Sequence, residues 1–118
     1  MPDVIGIDHI YITVSDPRRS EAFYDVVMPV LGFRKQHFQL DGEDHIHYYN
    51  RHFGYVLRPA RSGGGHDCYA PGLHHLCLRV ESVAAVEESA ATVTWSLTFA
   101  TKATQRSTYS RRPYRRPF

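Results

Sequence analysis

Two histidines occupy equivalent positions in a short sequence motif that occurs twice in the chain. Residues 7–14 read Ile-Asp-His-Ile-Tyr-Ile-Thr-Val and residues 73–80 read Leu-His-His-Leu-Cys-Leu-Arg-Val, so His9 aligns with His75. Such a repeat predicts two copies of one supersecondary unit, each opening with a strand. If the two strands lie side by side, both imidazoles face one hollow, where they can ligate a divalent metal ion. His9 and His75 are therefore candidate ligands, or else hydrogen-bonded strand residues without a metal.

Strand alternation gives each histidine a neighbour on its own face. Tyr11 shares the face of His9, and Arg79 shares the face of His75, while the aliphatic residues between them point the other way. We expect the aliphatic faces to lie under helices and the polar faces to line the hollow. Tyr11 is then a candidate substrate contact, and Arg79 is a candidate partner for an anionic group.

A third strand adds more polar candidates. His47 and Tyr49 are two positions apart and share one strand face, so they are candidate pocket residues. His45 lies on the same face and His37 lies on the neighbouring strand. These two histidines are predicted either to contact substrate or replace a ligand, or to be ordinary half-exposed positions of an antiparallel sheet.

The third ligand of a metal site is hard to find in this chain. A catalytic metal usually has three protein ligands and one open position, and non-haem iron commonly takes two histidines and one carboxylate. That carboxylate would come from a late strand, but no Asp or Glu follows Glu88. The residue pattern identifies no catalytic acid, base or nucleophile.

The elements of the first unit, residues 4–60, follow from local patterns. Asp16 and Pro17 favour the N-cap and first turn of a helix, and Pro29 and Gly32 favour its end. Asp41-Gly42 is a strong hairpin signal. The predicted order is strand, helix and three strands, with the strands at 4–14, 33–40, 45–50 and 53–59.

The second unit begins at residue 73, after a linker over residues 61–72 that is rich in glycine. Its pattern predicts a strand over 73–80 and a helix over 82–91 whose apolar stripe is Val83 and Val86. Alternating apolar residues over 92–99 then predict one more strand. Residues 101–118 are expected to form an irregular tail, so the second unit lacks some of the strands of the first.

Composition limits the class of protein. A chain of 118 residues suits a single domain, and it has no apolar run long enough to span a bilayer and no secretory signal pattern. Two cysteines do not make a disulfide framework, so a cytoplasmic location is expected. The net charge is −4 over residues 1–90 and +6 over residues 91–118. The basic tail could contact nucleic acid, but a solvated terminus is the preferred interpretation.

The motifs together resemble the vicinal oxygen chelate superfamily, which includes glyoxalase I, extradiol dioxygenases and bleomycin-resistance proteins. The resemblance rests on Asp8-His9-Ile10-x-Ile12-x-Val14, Ser15-Asp16-Pro17, Ala22-Phe23-Tyr24, Leu31-Gly32-Phe33 and Gly72-Leu73-His74-His75. It implies an α+β fold in which a βαβββ module and a second, incomplete βαβββ module form a cupped mixed sheet. The change of composition after about residue 90 departs from the family and suggests the hypothesis of an altered reading frame.

The resemblance also implies a function. His9 and His75 match the family's metal ligands, so the implied cofactor is one divalent ion of iron, manganese, nickel or zinc. The implied activity is that of a glyoxalase I-like lyase or an extradiol-type dioxygenase on a small molecule with vicinal oxygens, which the atypical C-terminus can impair. The alternative is a metal-free binding module of the drug-resistance type. The open edges of an incomplete module favour pairing with a second copy, so a homodimer is expected.

Overall fold

Four strands and two helices make up the part of the chain that the structure describes. The structure is a computed structural model that describes residues 1–100, with the backbone alone for residues 94–100. The elements in chain order are β1 (His9–Val14), α1 (Pro17–Val30), β2 (Arg34–Leu40), β3 (Glu43–Tyr49), β4 (Gly54–Pro59) and α2 (Val83–Ala100). The βαβββ order predicted for residues 4–60 is confirmed, although β1 begins five residues later than predicted.

The four strands form one open mixed sheet in the order β1-β4-β3-β2. β4 pairs parallel with β1 and antiparallel with β3, and β2 pairs antiparallel with β3. The parallel pair requires a crossover, which α1 and the hairpin supply. The α+β class is therefore confirmed.

Helix α1 has the ends that the sequence predicts. The side chain of Asp16 accepts a hydrogen bond from the backbone N–H of Arg19, and Pro17 occupies the first turn. At the other end the N–H of Phe33 donates to the carbonyl of Met28, and Gly32 has a φ of 84°. This is a Schellman motif, in which glycine adopts the left-handed conformation at low cost. Pro29 lies in the last turn and does not shorten the helix.

The β2–β3 hairpin turns at Asp41 and Gly42, as predicted. Both residues have positive φ values, 54° and 75°, which is the type I′ geometry that matches the twist of the flanking strands. Leu40 therefore pairs with Glu43. This turn sets the register that brings the side chains of β2 beside those of β3.

The hydrophobic core lies between the sheet and α1. Its buried cluster consists of Met28, Phe33, Ile46, Tyr48 and Leu57. Ile12 and Val14 of β1 pack against this cluster, so the prediction that the aliphatic face of β1 lies under a helix is confirmed. The opposite face of the sheet is left free of helices in the described part of the chain.

The second half of the chain differs from its prediction. Residues 73–80 form no strand, and residues 92–99 belong to α2 rather than to a strand. A lone strand without a partner leaves its backbone hydrogen-bonding groups unpaired, whereas a helix satisfies them internally. The alanine-rich start of α2 favours that outcome.

The buried stripe of α2 also differs from the predicted one. Val83 and Val86 are exposed, and the partly buried positions are Ala85, Ser89 and Val93, spaced four residues apart. These small residues let α2 lie against α1. Within residues 1–100 neither helix combines the length and apolarity needed to cross a membrane.

Candidate functional site

The face of the sheet that lies opposite α1 carries a cavity of about 510 Å³, which we call the sheet hollow. Strand register explains its composition, because Tyr11, Val56, His47 and Gln36 occupy one row across β1, β4, β3 and β2. All four side chains point to the same face. The residues that line the hollow are Asp8, His9, Tyr11, Gln36, Phe38, His47, Tyr49, Asn50, Arg51, His52, Phe53, Gly54 and Val56.

Aromatic and imidazole rings form most of the walls of the sheet hollow. The rings of His9 and Tyr11 meet edge to face with their centroids 5.5 Å apart. Phe38 meets His47 edge to face at 6.0 Å, and His47 and Tyr49 are 5.2 Å apart. These are ordinary distances for interacting ring pairs. The hollow therefore presents several flat surfaces on which a planar molecule could stack.

His47 is held over the floor of the hollow by two neighbours. The amide nitrogen Nε2 of Gln36 lies 2.9 Å from Nδ1 of the ring. On its other side the ring lies so close to Gly54 that a Cβ added there would overlap Nε2 of His47. Burial, and secondarily the nearby charge of His9, lower the pKa of His47. The neutral imidazole is therefore the form that the folded protein favours.

His45 lies on the same strand face but beneath the rings of the hollow. Its side chain is 1% exposed, stacked on Phe38 at 5.0 Å and edge to face with Tyr11 at 5.9 Å. Nδ1 lies 3.0 Å from the backbone carbonyl of Glu43, while Nε2 has no hydrogen-bond partner in the described part of the chain. Burying a polar atom in this way is unusual in native proteins.

Polar and charged side chains also line the hollow. Asp8 and His9 form a hydrogen-bonded pair there, with Oδ2 and Nδ1 2.8 Å apart. Arg51 donates from Nε to Nε2 of His52 at 3.2 Å. Asn50 accepts from the backbone N–H of His52, which fixes the turn between β3 and β4.

The sequence predicted four residues of this site and missed others. His9, Tyr11, His47 and Tyr49 come together in the hollow. Gln36, Phe38 and Gly54 were missed as site residues. The hairpin turn at Asp41-Gly42 was a usable signal for the first two, because its register places Gln36 and Phe38 beside His47 and His45.

The other two predicted residues lie elsewhere. His75 is outside the lining of the hollow, and its Nδ1 lies 2.8 Å from Nδ1 of His74. Arg79 lines a second cavity of about 1550 Å³ between the end of α1, residues 76–81 and α2. Because residues 73–80 form no strand beside β1, the two copies of the repeated motif, residues 7–14 and 73–80, do not occupy equivalent positions in a common sheet.

His37 lies on the helix side of the sheet, away from the hollow. Its Nε2 is 2.8 Å from a carboxylate oxygen of Glu21, and its Nδ1 is 2.9 Å from one of Asp44. Lys35 on the same strand pairs with Glu21 and Asp25. Burial opposes it, but hydrogen bonds to these two carboxylates raise the pKa of Lys35 overall. This ion-pair network fastens the hairpin to α1.

The described residues do not supply a complete set of metal ligands. Within residues 1–100, no three His, Cys, Asp or Glu side chains come close enough together to hold a metal ion. A catalytic site normally needs three. His9 is suitably placed as one ligand, since Asp8 orients its ring through Nδ1 as carboxylates commonly do for metal-binding histidines. The donor set in this part of the chain therefore does not fit a three-ligand centre.

Comparison with known proteins supports the fold. No family model and no curated protein matches the chain. The chain is similar to the crystal structure of a glyoxylase/bleomycin resistance protein/dioxygenase domain from Frankia sp. EAN1pec. The two are 23% identical, with a TM-score of 0.63 over 80% of this chain and 75% of that one. The chain thus shares the fold of that glyoxylase/bleomycin resistance protein/dioxygenase domain, which is the fold that its motifs implied.

Proposed function

We propose that this protein binds a small planar molecule in the sheet hollow, without requiring a metal ion. The observation that carries the proposal is the set of rings around one cavity of about 510 Å³, together with polar side chains in the same lining. Small-molecule sites are commonly cavities of a few hundred Å³ lined by apolar and aromatic side chains with a few polar groups. The sheet hollow has this composition.

The rings suggest how such a molecule would be held. Tyr11, Phe38 and Tyr49 line the hollow from three different strands, so a flat ligand between them would bury both faces. Aromatic pairs of this kind contribute about 0.5–1.5 kcal/mol beyond the area that they bury. Arg51, which also lines the hollow, could donate hydrogen bonds to an oxygen on the ligand.

Nuclear magnetic resonance tests the location of binding directly. We would titrate 2-naphthol, a planar probe, into ¹⁵N-labelled protein and follow the backbone amide signals. The expected result is saturable shifts at residues of the hollow, such as His9, Tyr11 and His47, and small shifts in α1. Shifts confined to α1 and the second cavity, or no shifts at millimolar probe, would contradict the proposal.

A pair of tyrosine variants provides the control. Tyr11→Ala removes a ring that lines the hollow but not the second cavity, and it should weaken binding of 2-naphthol by about tenfold, which corresponds to about 1.4 kcal/mol. Tyr69→Ala removes an equally large ring that is 86% exposed and lies outside the hollow. Binding by the Tyr69 variant should equal that of the unsubstituted protein, and equal weakening by both variants would argue against stacking in the hollow.

A second candidate is the metal-dependent function that the sequence implied, and the Asp8–His9 hydrogen bond favours it. In that case a divalent ion of iron, manganese, nickel or zinc would supply Lewis-acid chemistry, and the protein would act as a lyase or dioxygenase of this superfamily. Elemental analysis of protein purified without chelators tests it. A stoichiometric ion that is lost in both His9→Ala and His75→Ala would support it, and no ion after reconstitution would exclude it.

A further inference from the structure

His45 is a buried polar side chain for which the fold has no evident use. Its side chain is 1% exposed and lies on the hollow's face of β3, two positions before His47. It takes no part in the ion-pair network of Lys35 and His37, which lies on the other side of the sheet. Nε2 of this ring has no hydrogen-bond partner in the described part of the chain, and a buried polar atom without a partner is costly and calls for an explanation.

The hydrogen bond at Nδ1 defines what Nε2 can do. Because a carbonyl oxygen only accepts, Nδ1 must donate its hydrogen to the carbonyl of Glu43, 3.0 Å away. In the neutral ring Nε2 then carries a lone pair and can only accept. The carboxylate of Glu43 is held by Arg61 and Arg58, and these contacts lower its pKa. In the neutral ring, Nε2 of His45 is therefore a buried acceptor that receives no hydrogen bond in the described part of the chain.

Two of the rings that contact the imidazole of His45 belong to the lining of the sheet hollow. Phe38 stacks on the imidazole and Tyr11 meets it edge to face, and both rings line the hollow. Tyr11 is 42% exposed and lies outside the buried core cluster. Rotation of its side chain would therefore disturb few core contacts.

We propose that Nε2 of His45 accepts a hydrogen bond from the ligand of the sheet hollow, so that the site selects planar molecules bearing a hydroxyl or N–H group. This inference rests on the proposed binding function and adds the chemical class of the ligand. Rotation of Tyr11 opens a path from the hollow to Nε2, and the ligand's donor replaces the missing hydrogen bond. A site built to pair a buried polar group rejects an analogue that lacks the matching donor.

Two probes that differ only at the donor test this selectivity. We would compare 2-naphthol with 2-methoxynaphthalene, which has the same ring system but no hydroxyl hydrogen, by titration of the full chain at pH 7.5. The unsubstituted protein should bind 2-naphthol at least tenfold more tightly. In the same titration, the ¹⁵N signal of His45 Nε2 should shift with 2-naphthol and stay in place with 2-methoxynaphthalene.

A variant separates this role from general packing. His45→Phe keeps an aromatic ring against Phe38 but removes the acceptor, so the two probes should bind it with equal affinity. Equal affinities for the unsubstituted protein would overturn the role of His45 while leaving the binding function standing. Failure of both probes to bind would overturn both proposals. The ¹⁵N measurement needs no variant, so the test also stands if His45→Phe does not fold.

Discussion

Gly54, in the floor of the hollow, lies so close to His47 that a side chain does not fit there. A Cβ at this position would overlap Nε2 of His47 and lie 3.2 Å from its Cδ2. The imidazole is held from its other side by Gln36, so it cannot move without losing that hydrogen bond. The absence of a side chain at Gly54 therefore fixes the place of His47, which sequence alone could not indicate.

Gly54→Ala is predicted to displace the His47 ring and destabilise the protein by about 1–3 kcal/mol, the usual cost of overpacking. Urea unfolding measures the stability, and the ¹⁵N signals of the His47 ring report the lost hydrogen bond. Gly63→Ala is the matched control, because a Cβ there meets nothing within 4 Å. Equal stabilities of the two variants would contradict this account of the floor.

The lowered pKa of His47 predicts a dependence of stability on pH. Because the folded state disfavours the charged ring, the contribution to stability is complete above the unfolded value of 6.5 and is lost as pH falls through the folded pKa. Urea unfolding between pH 7.5 and 5.5 should show a decline that is smaller in His47→Gln. His66→Gln, which changes an exposed histidine, should keep the full decline. An identical decline in all three proteins would rule out His47 as its source.

At the scale of elements, local signals predicted the first half of the chain and failed in the second. The N-cap at Asp16, the glycine at position 32 and the Asp41-Gly42 turn each require a particular backbone geometry, so their residue types are informative. The alternation over 92–99 is weaker evidence, because a strand also needs a partner and no pattern in the sequence guarantees one. In the structure these residues continue α2 instead.

Asp16→Ala tests the helix start. Removing the side chain that accepts from the N–H of Arg19 should cost about 1 kcal/mol of stability, as for other N-cap replacements. Asp3→Ala removes the same group from an exposed position before β1 and should leave stability unchanged. Urea unfolding of both variants measures the difference, and a loss below about 0.3 kcal/mol for Asp16→Ala would argue against the cap.

At the scale of the whole molecule, the sequence predicted the fold but only some of the residues that line the hollow. Alternation on β1 and β3 was enough to group His9, Tyr11, His47 and Tyr49. The pairing of His9 with His75 depended on a second strand at 73–80, which does not form in the described structure. The buried acceptor of His45 depends on contacts between β1, β2 and β3, which only the folded arrangement reveals.

Exposed apolar residues on α2 support the predicted homodimer. Val83 is 73% exposed and Val86 is 46% exposed, and they lie on one side of the helix. We predict that light scattering gives twice the 13.6 kDa mass of one chain, and that Val83→Glu with Val86→Glu lowers it towards a single chain. Val4→Glu changes a valine that is exposed before β1 and should leave the mass unchanged. A monomeric mass for the unsubstituted protein would contradict the prediction.

The parallel pairing of β1 with β4 also governs the order in which the molecule can assemble. β2, β3 and β4 pair with strands that are adjacent in the sequence. β1 pairs with β4, so His9 has its partner Gly54 only when the chain has been made as far as β4. Contacts between distant parts of a chain form slowly. During synthesis, β1 is therefore expected to join the sheet only after β4 has been made, and the hollow gains Tyr11 only at that step.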